Sequence, residues 1–243
     1  MKIISIEGIV VSSTPYKESS KIINIFTKDK GIIGCIAKGA KGIKSKLRIP
    51  SEKYAYGTFH IYYKENGLST LIDADIKNYF INIKSDILKI SYLTYICDLS
   101  TNVYKESNDN EIYNLMENAI LKIEEGMNPK IITNILEVQF LEYLGISLNL
   151  DNCVSCGSTK ISTISLPRGG YICSKCRHNE PLVSEKVLKL LRLYYYVDIS
   201  KISNLDIDID VANMIDKIID EYYEEYSGVY LYSKKLLKTL EKS

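Results

Sequence analysis

Hydrophobic and polar positions follow a two-residue period in the first part of the chain. Five β-rich runs, "IEGIVVSST", "KIINIFTKD", "GIIGCIAKG", "YAYGTFHIYYKE" and "LSTLIDADI", are separated by turn-forming residues. The breaks hold Pro15, the "DKG" ending at Gly31, a basic glycine-containing stretch and the "ENG" ending at Gly67. Five short strands with no helical pattern between them predict a small barrel. A five-stranded Greek-key barrel of the OB type fits the count and closes most of the sheet edges.

After Asp75 the period changes. Ile83, Ile87, Ile90, Leu93 and Cys97 follow steps of three and four, which predicts an amphipathic helix over residues 84–104 with Cys97 in the core. A second helix is expected over 110–125. A third follows "NPK" at 128–130, with Pro129 in its first turn, and runs through "IITNILEVQFLEYLG" to stop at Gly145. Near the C-terminus, Val211, Met214, Ile215, Ile218, Ile219 and Tyr222 trace another apolar stripe, followed by "YLYSKKLLKTL". The chain therefore reads as α+β and multidomain: a barrel over residues 1–80 and an all-α domain over 81–243, the latter interrupted once.

The interruption, at about 151–178, is "CVSCGSTKISTISLPRGGYICSKC". Cys153 and Cys156 are followed after sixteen residues by Cys173 and Cys176, within the spacing of structural zinc sites. Two residues between cysteines let a tight turn aim both sulfurs at one ion, and two such knuckles complete a tetrahedral thiolate shell. One structural Zn²⁺ is therefore expected. Four thiolates saturate it and leave no position for an activated water, so the site is not expected to be catalytic. His178 could replace a ligand but reads as exposed or flanking, and a redox dithiol is the weaker reading of the paired motif.

Composition and charge narrow the picture. The 243 residues carry six cysteines, four of them in the two pairs, which indicates metal binding in a reducing compartment rather than a disulfide framework. No apolar run approaches the roughly 20 residues needed to cross a bilayer, and Glu7 interrupts the start "MKIISIEGIVVSS" before a signal-peptide core develops. A cytoplasmic, membrane-free protein is expected. The formal net charge is +1, yet residues 1–80 carry thirteen Lys or Arg against seven Asp or Glu, net +6, and residues 81–243 carry net −5. This asymmetry fits a polyanion-facing module joined to a more acidic body.

The sharpest local signal is "KGAKGIKSKLR" at 38–48. Lys38, Lys41, Lys44, Lys46 and Arg48 lie in a segment without a single acid between Lys30 and Glu52. If extended, the segment would set Lys44, Lys46 and Arg48 on one side and Ser45, Leu47 and Ile49 on the other. These five cations are the candidate phosphate contacts, with Lys17 and Lys21 as weaker additions. Tyr54, Tyr56, Tyr62 and Tyr63 offer rings for stacking on bases, although tyrosine at this abundance is more often packing or background.

Enzyme chemistry finds no constellation. "GCIAKGAKG" places Ala40 where a phosphate-loop lysine belongs, no Ser or Thr follows Lys41, and no helical pattern follows it. Only His60 and His178 are available as imidazole bases, and pairs such as Asp73/Asp75 or Glu224/Glu225 have the look of solvated faces. A nuclease or deaminase would need an open metal or carboxylate cluster. The remaining alternative is a zinc-ribbon, OB-fold factor of transcription or translation.

The order "GIVVSSTPYKESSKIINIFTKDKGIIGCIAKGAKGIKSKL", "GLSTLIDADI", "FLEYLGISLNLDNCVSCG", "GGYICSKC" and "YSKKLLKTL" resembles the bacterial RecO recombination and DNA-repair mediators in their zinc-bearing form, over nearly the whole chain. The resemblance implies an N-terminal OB-fold, a helical C-terminal domain and an inserted zinc module. It also implies binding to single- and double-stranded DNA, ATP-independent strand annealing, partnership with RecR and the C-terminal tail of the single-strand-binding protein SSB, indirect service to RecA, and a place at the nucleoid.

Overall fold

The computed structural model describes residues 2–242. Strands β1 (Lys2–Tyr16), β2 (Ser20–Thr27), β3 (Gly31–Ala37), β4 (Tyr56–Tyr63) and β5 (Ser69–Asn78) close into a barrel in the order β1-β2-β3-β5-β4. β1 is long enough to pair with two neighbours: Lys2 to Ile9 run antiparallel to β4, and Gly8 to Tyr16 antiparallel to β2. A bulge between Val10 and Ser12 bends it between these tasks. The parallel pairing of Cys35 with Ser69 and Ile36 with Thr70 joins β3 to β5. The strand alternation seen in sequence sorts side chains as expected: Ile23 and Ile25, Ile33, Cys35 and Ala37, and Phe59 and Ile61 point into one core with Leu71. The barrel is the OB-fold predicted.

Helices α1 (Ile81–Lys84), α2 (Ile87–Ser107), α3 (Glu111–Glu124) and α4 (Pro129–Tyr143) follow. Asp86 caps α2 by accepting from the backbone N–H groups of Leu88 and Lys89, and Asn128 caps α4 with Pro129 in the first turn. Strands β6 (Thr163–Ser165) and β7 (Gly170–Ile172) form a small hairpin, followed by α5 (Glu185–Tyr196), α6 (Ile209–Tyr222) and α7 (Tyr232–Leu240). The apolar stripes hold with two exceptions. Ile87 is exposed because α2 begins there, three residues later than the period implied, and Met214 is also exposed. α5 was not anticipated: "EKVLKLLRLYYY" follows directly on the cysteine cluster, with Ser184 as its N-cap.

Two compact units form. One gathers the residues up to Ile90 with Cys97–Asn114; the other gathers Ser91–Ile96 with the residues from Leu115 onward. In the first, Phe26 of the barrel meets the rings of Tyr104 (4.9 Å) and Tyr113 (5.6 Å), and Cys97 is fully buried. In the second, every residue of α4 from Ile131 to Leu141 is buried, which marks a central helix surrounded on all sides. It packs on α5 and α6, and Gln139 Nε2 donates to the carbonyls of Tyr194 (3.0 Å) and Val197 (2.7 Å). Among the described residues, no helix is long and apolar enough to cross a membrane.

Candidate nucleic-acid interface and metal centre

The chain between β3 and β4 winds through successive turns. The N–H of Gly42 bonds to the carbonyl of Gly39 (3.1 Å), Ser45 to Gly42 (3.0 Å), Arg48 to Ser45 (3.1 Å) and Ser51 to Leu47 (3.1 Å). This corrects the extended arrangement considered for 44–49. β3 takes β5 as its further neighbour, so the segment has no strand to pair with and satisfies its backbone locally. Gly39, at φ +69°, supplies the left-handed residue that starts the path. The turns are tied to the barrel at both ends. Lys41 N–H bonds to Ser19 O (2.9 Å), Ser13 Oγ donates to Ser51 O (2.6 Å), and Val10 and the Tyr54–Ala55 pair exchange backbone bonds. Ala40 and Leu47 are buried in the barrel core.

All five candidate cations are exposed, but they are not equivalent. Lys46 pairs with Asp73 at 2.8 Å, and that contact is the main reason the Asp73 carboxyl sits below its usual range. Lys41 Nζ donates to the Lys17 carbonyl (3.2 Å). Lys38, Lys44 and Arg48 make no ion pair among the described residues. The weaker candidate Lys21 is held by Glu52 at 2.8 Å. Of the aromatic candidates, two take the packing alternative. Tyr54 and Tyr56 are buried, Tyr56 with its ring stacked on Phe80 at 5.7 Å and its hydroxyl donating to Glu7 (3.2 Å), so neither ring is open to a base. Tyr62 is exposed on β4, and Tyr63 packs on the barrel core with the Lys30 ammonium over its ring. His60 lies on the strand surface between Ser5 (2.8 Å) and Asp75 (3.0 Å).

The four thiols converge. Their sulfurs lie within 4.8 Å of one another, Cys153 and Cys173 buried, Cys156 exposed and Cys176 between. The knuckle turns are closed by Gly157 N–H to Cys153 O (2.8 Å) and by Cys176 and Arg177 N–H to Cys173 O (3.1 and 3.0 Å). Gly170 brings β7 against the chain before the first knuckle: a Cβ there would stand 2.4 Å from the Asn149 carbonyl. Arg168 spans the module, donating to the Cys176 carbonyl (3.1 Å) and pairing with Glu180 (3.2 Å).

The donor set fits a tetrahedral ion. Cys156 and Cys173 sulfurs are 3.6 Å apart, far beyond a disulfide at about 2.05 Å and close to the ~3.8 Å edge of a tetrahedron with metal–sulfur bonds of about 2.3 Å. Hydrogen bonds, foremost from the Cys173 backbone, hold the Cys153 thiol down at about 6, while its thiol neighbours Cys156 and Cys173 push Cys176 up to about 12. Four thiols this close resist sharing their negative charge without a cation. Cys35 and Cys97 differ: burial pushes each up to about 12, as for inert core residues. His178 is not part of the cluster.

A pocket of about 640 Å³ opens in the helical unit, lined by Tyr223, Tyr230, Tyr232, Lys234, Lys235 and Lys242 among others. Lys234 is held between Glu137 (2.7 Å) and Asp220 (3.0 Å), and Lys238 is also paired with Asp220. Lys235 and Lys242 are exposed.

A family model described as Recombination protein O N terminal matches residues 1–80, and one described as Recombination protein O C terminal matches residues 84–235. The DNA repair protein RecO of Listeria monocytogenes serotype 4b is 36% identical over 241 residues, covering 97% of this chain and 94% of the relative. The chain belongs to the RecO family. The DNA repair proteins RecO of Halalkalibacterium halodurans (34% identical; 97% of this chain, 94% of the relative) and Bacillus pumilus (34%; 98% and 95%) match over similar spans. The N-terminal RecO match contains the basic turn, and the C-terminal one contains all four thiols. Three features of this RecO-family chain escaped sequence reasoning: the neutralisation of Lys46, the exposure of Ile43 on the turn, and which residues of the helical domain line a pocket of apolar side chains and local cations. Only the last had a signal, the tyrosines and lysines of "YLYSKKLLKTL".

Proposed function

We propose that this RecO-family protein is a non-enzymatic recombinational mediator that binds single- and double-stranded DNA, anneals complementary strands without ATP and, with RecR, helps load RecA on SSB-coated DNA. Residues 1–80 serve as the DNA-binding domain through Lys38, Lys41, Lys44, Lys46 and Arg48, and residues 81–243 as the body that receives protein partners. The observation that carries this reading is the tethered turn with Lys38, Lys44 and Arg48 exposed and without ion pairs among the described residues. Two strands approach slowly because their phosphates repel. Fixed cations that neutralise both backbones raise the encounter rate and consume nothing.

Cys153, Cys156, Cys173 and Cys176 hold one zinc ion, which supplies cross-linking of the two knuckles and no chemistry on DNA. Ile172 and the buried cysteines form too small a cluster, with Val154 and Ile161 beside it, to fold the module alone. The tyrosine- and lysine-lined pocket suits the acidic, apolar SSB tail: Lys235 and Lys242 offer charge at its mouth, Tyr223 and Leu231 an apolar wall. The protein acts in the cytoplasm, at the nucleoid.

The deciding experiment is annealing of SSB-coated complementary oligonucleotides without nucleotide. Acceleration by the full chain is expected. Failure to accelerate, together with preferential binding to one duplex sequence, would instead identify a zinc-ribbon factor of transcription or translation.

A further inference from the structure

Burial removes Tyr54 and Tyr56 from contact with bases and leaves Tyr62 exposed on β4, while the basic turn itself offers a different apolar group. Among the large hydrophobic residues of the turn, Ile43 is 85% exposed and Ile49 54%. Ile43 stands between Lys41 and Lys44, three residues after buried Ala40 and four before buried Leu47. Both neighbours in the hydrogen-bonded path, Gly42 and Ser45, are fixed by their turn bonds (3.1 and 3.0 Å). A mobile loop would let an isoleucine fold back on the barrel; this one is anchored on both sides and holds it out. The β-branched side chain has few rotamers to lose on contact, so presentation is already achieved before a ligand arrives.

We propose that Ile43 is a wedge that packs against unstacked bases of single-stranded nucleic acid while the neighbouring cations hold the phosphates. This rests on the turn being the DNA interface. Charge selects the occupant: an apolar protein pocket would have to accept the five cations of residues 38–48, whereas a single strand presents phosphates and base faces within the same few ångströms. Duplex DNA hides its base faces in the stack, and opening a step costs free energy. The wedge therefore favours single strands and resists their premature stacking during annealing.

The chain contains no tryptophan, so Ile43→Trp places one reporter at this position. With the full chain saturated by a labelled thymidine oligonucleotide, as shown by anisotropy, the tryptophan emission is expected to be quenched; unchanged emission would overturn the wedge. Ile43→Ser, at an exposed site that folding does not need, is expected to weaken single-strand affinity about fivefold, the loss of roughly one partly buried side chain, with an unchanged salt slope and unchanged duplex affinity. Equal affinities for wild type and Ile43→Ser would also overturn it, as would an equal loss on single strands and duplex. The interface is checked separately with Lys44→Gln and Arg48→Gln. If these lower the salt slope while the Ile43 variants do nothing, the interface stands and the wedge falls. If they leave the slope unchanged, the interface is misplaced and the wedge falls with it.

Discussion

In "KGAKGIKSKLR", Lys38, Lys44 and Arg48 face solvent without an ion pair among the described residues, whereas in "YLYSKKLLKTL" Lys234 lies between Glu137 and Asp220, and Lys238 is also taken by Asp220. Both stretches are short, lysine-rich and free of acid. What separates them is the surface each packs on. The first connects two strands of a barrel in which no charged side chain is buried among the described residues, so its cations stay at the surface. The second is a helix in a unit whose central helix carries a carboxylate, Glu137, only 1% exposed. Glu137 also accepts from the Tyr95 hydroxyl (2.6 Å), and Asn134, with its amide nitrogen turned towards them, donates to Glu137 (3.2 Å) and Asp216 (3.0 Å). Burial pushes the Lys234 ammonium towards losing its proton, but Glu137 and Asp220 together outweigh it and hold the charge more tightly than usual. A lysine cluster is thus left open to solvent only where no inward carboxylate has claimed it.

The helical unit should be sensitive to single changes in its buried partners, and the turn should not. The largest effect is expected at the thiols. Metal binding contributes an apparent ~10–16 kcal/mol to modules of this kind, so Cys173→Ser should release zinc and unfold residues 151–178, read by elemental analysis and thermal melting. Next comes Lys234→Met, which leaves Glu137 buried without its cation and should cost about 3–5 kcal/mol in a denaturant melt, with DNA affinity unchanged. Equal stability would show that the pairing is not structural.

A third effect depends on pH. Burial first, then repulsion from Asp220 and Glu137, raises the Asp216 carboxyl to about 6, against attraction from Lys234 and Lys130. The folded state therefore binds the Asp216 proton more tightly than the unfolded chain. This contribution to stability is greatest below about pH 4 and is lost as pH rises to about 6. Asp216→Asn should be neutral near pH 4 and stabilising at pH 7 by no more than about 3 kcal/mol. A gain that is the same at both pH values would refute the assignment. Below pH 4 the trend reverses, because Asp198 and Glu180, held near 2 chiefly by hydrogen bonds from Ser200 and from the His178 backbone, take up protons and lose the contacts that favour their ionised form.

The two regions also differ in how well the sequence announced them. A tetrahedral site demands four sulfurs within a few ångströms, and that demand is written as spacing, so Cys153, Cys156, Cys173 and Cys176 were legible as a set. The barrel was equally legible because alternation such as Ile23, Ile25 and Ile33, Cys35, Ala37 has one solution. Phosphate contact demands only positive charge in reach, so the sequence showed where the cations are but not that Lys46 would face Asp73. Tyrosine burial is decided by contacts distant in sequence, such as Phe80 on Tyr56, which no local pattern encodes; hence packing and stacking both stayed open for Tyr54 and Tyr56, and Ile43 was passed over. Glu137 was hidden within the apolar run "IITNILEVQFLEYLG", where only the assembled unit reveals that a carboxylate is buried.

The central claim is that the turn at 38–48 carries the DNA contacts without carrying the fold. Its most direct test is the salt dependence of single-strand affinity for Lys41→Glu/Lys44→Glu/Arg48→Glu against wild type, with thermal melts in parallel. The account predicts an unchanged melting temperature, much weaker binding and a log–log salt slope shallower by about 0.7 for each phosphate contact removed. An unchanged slope with intact affinity would contradict it.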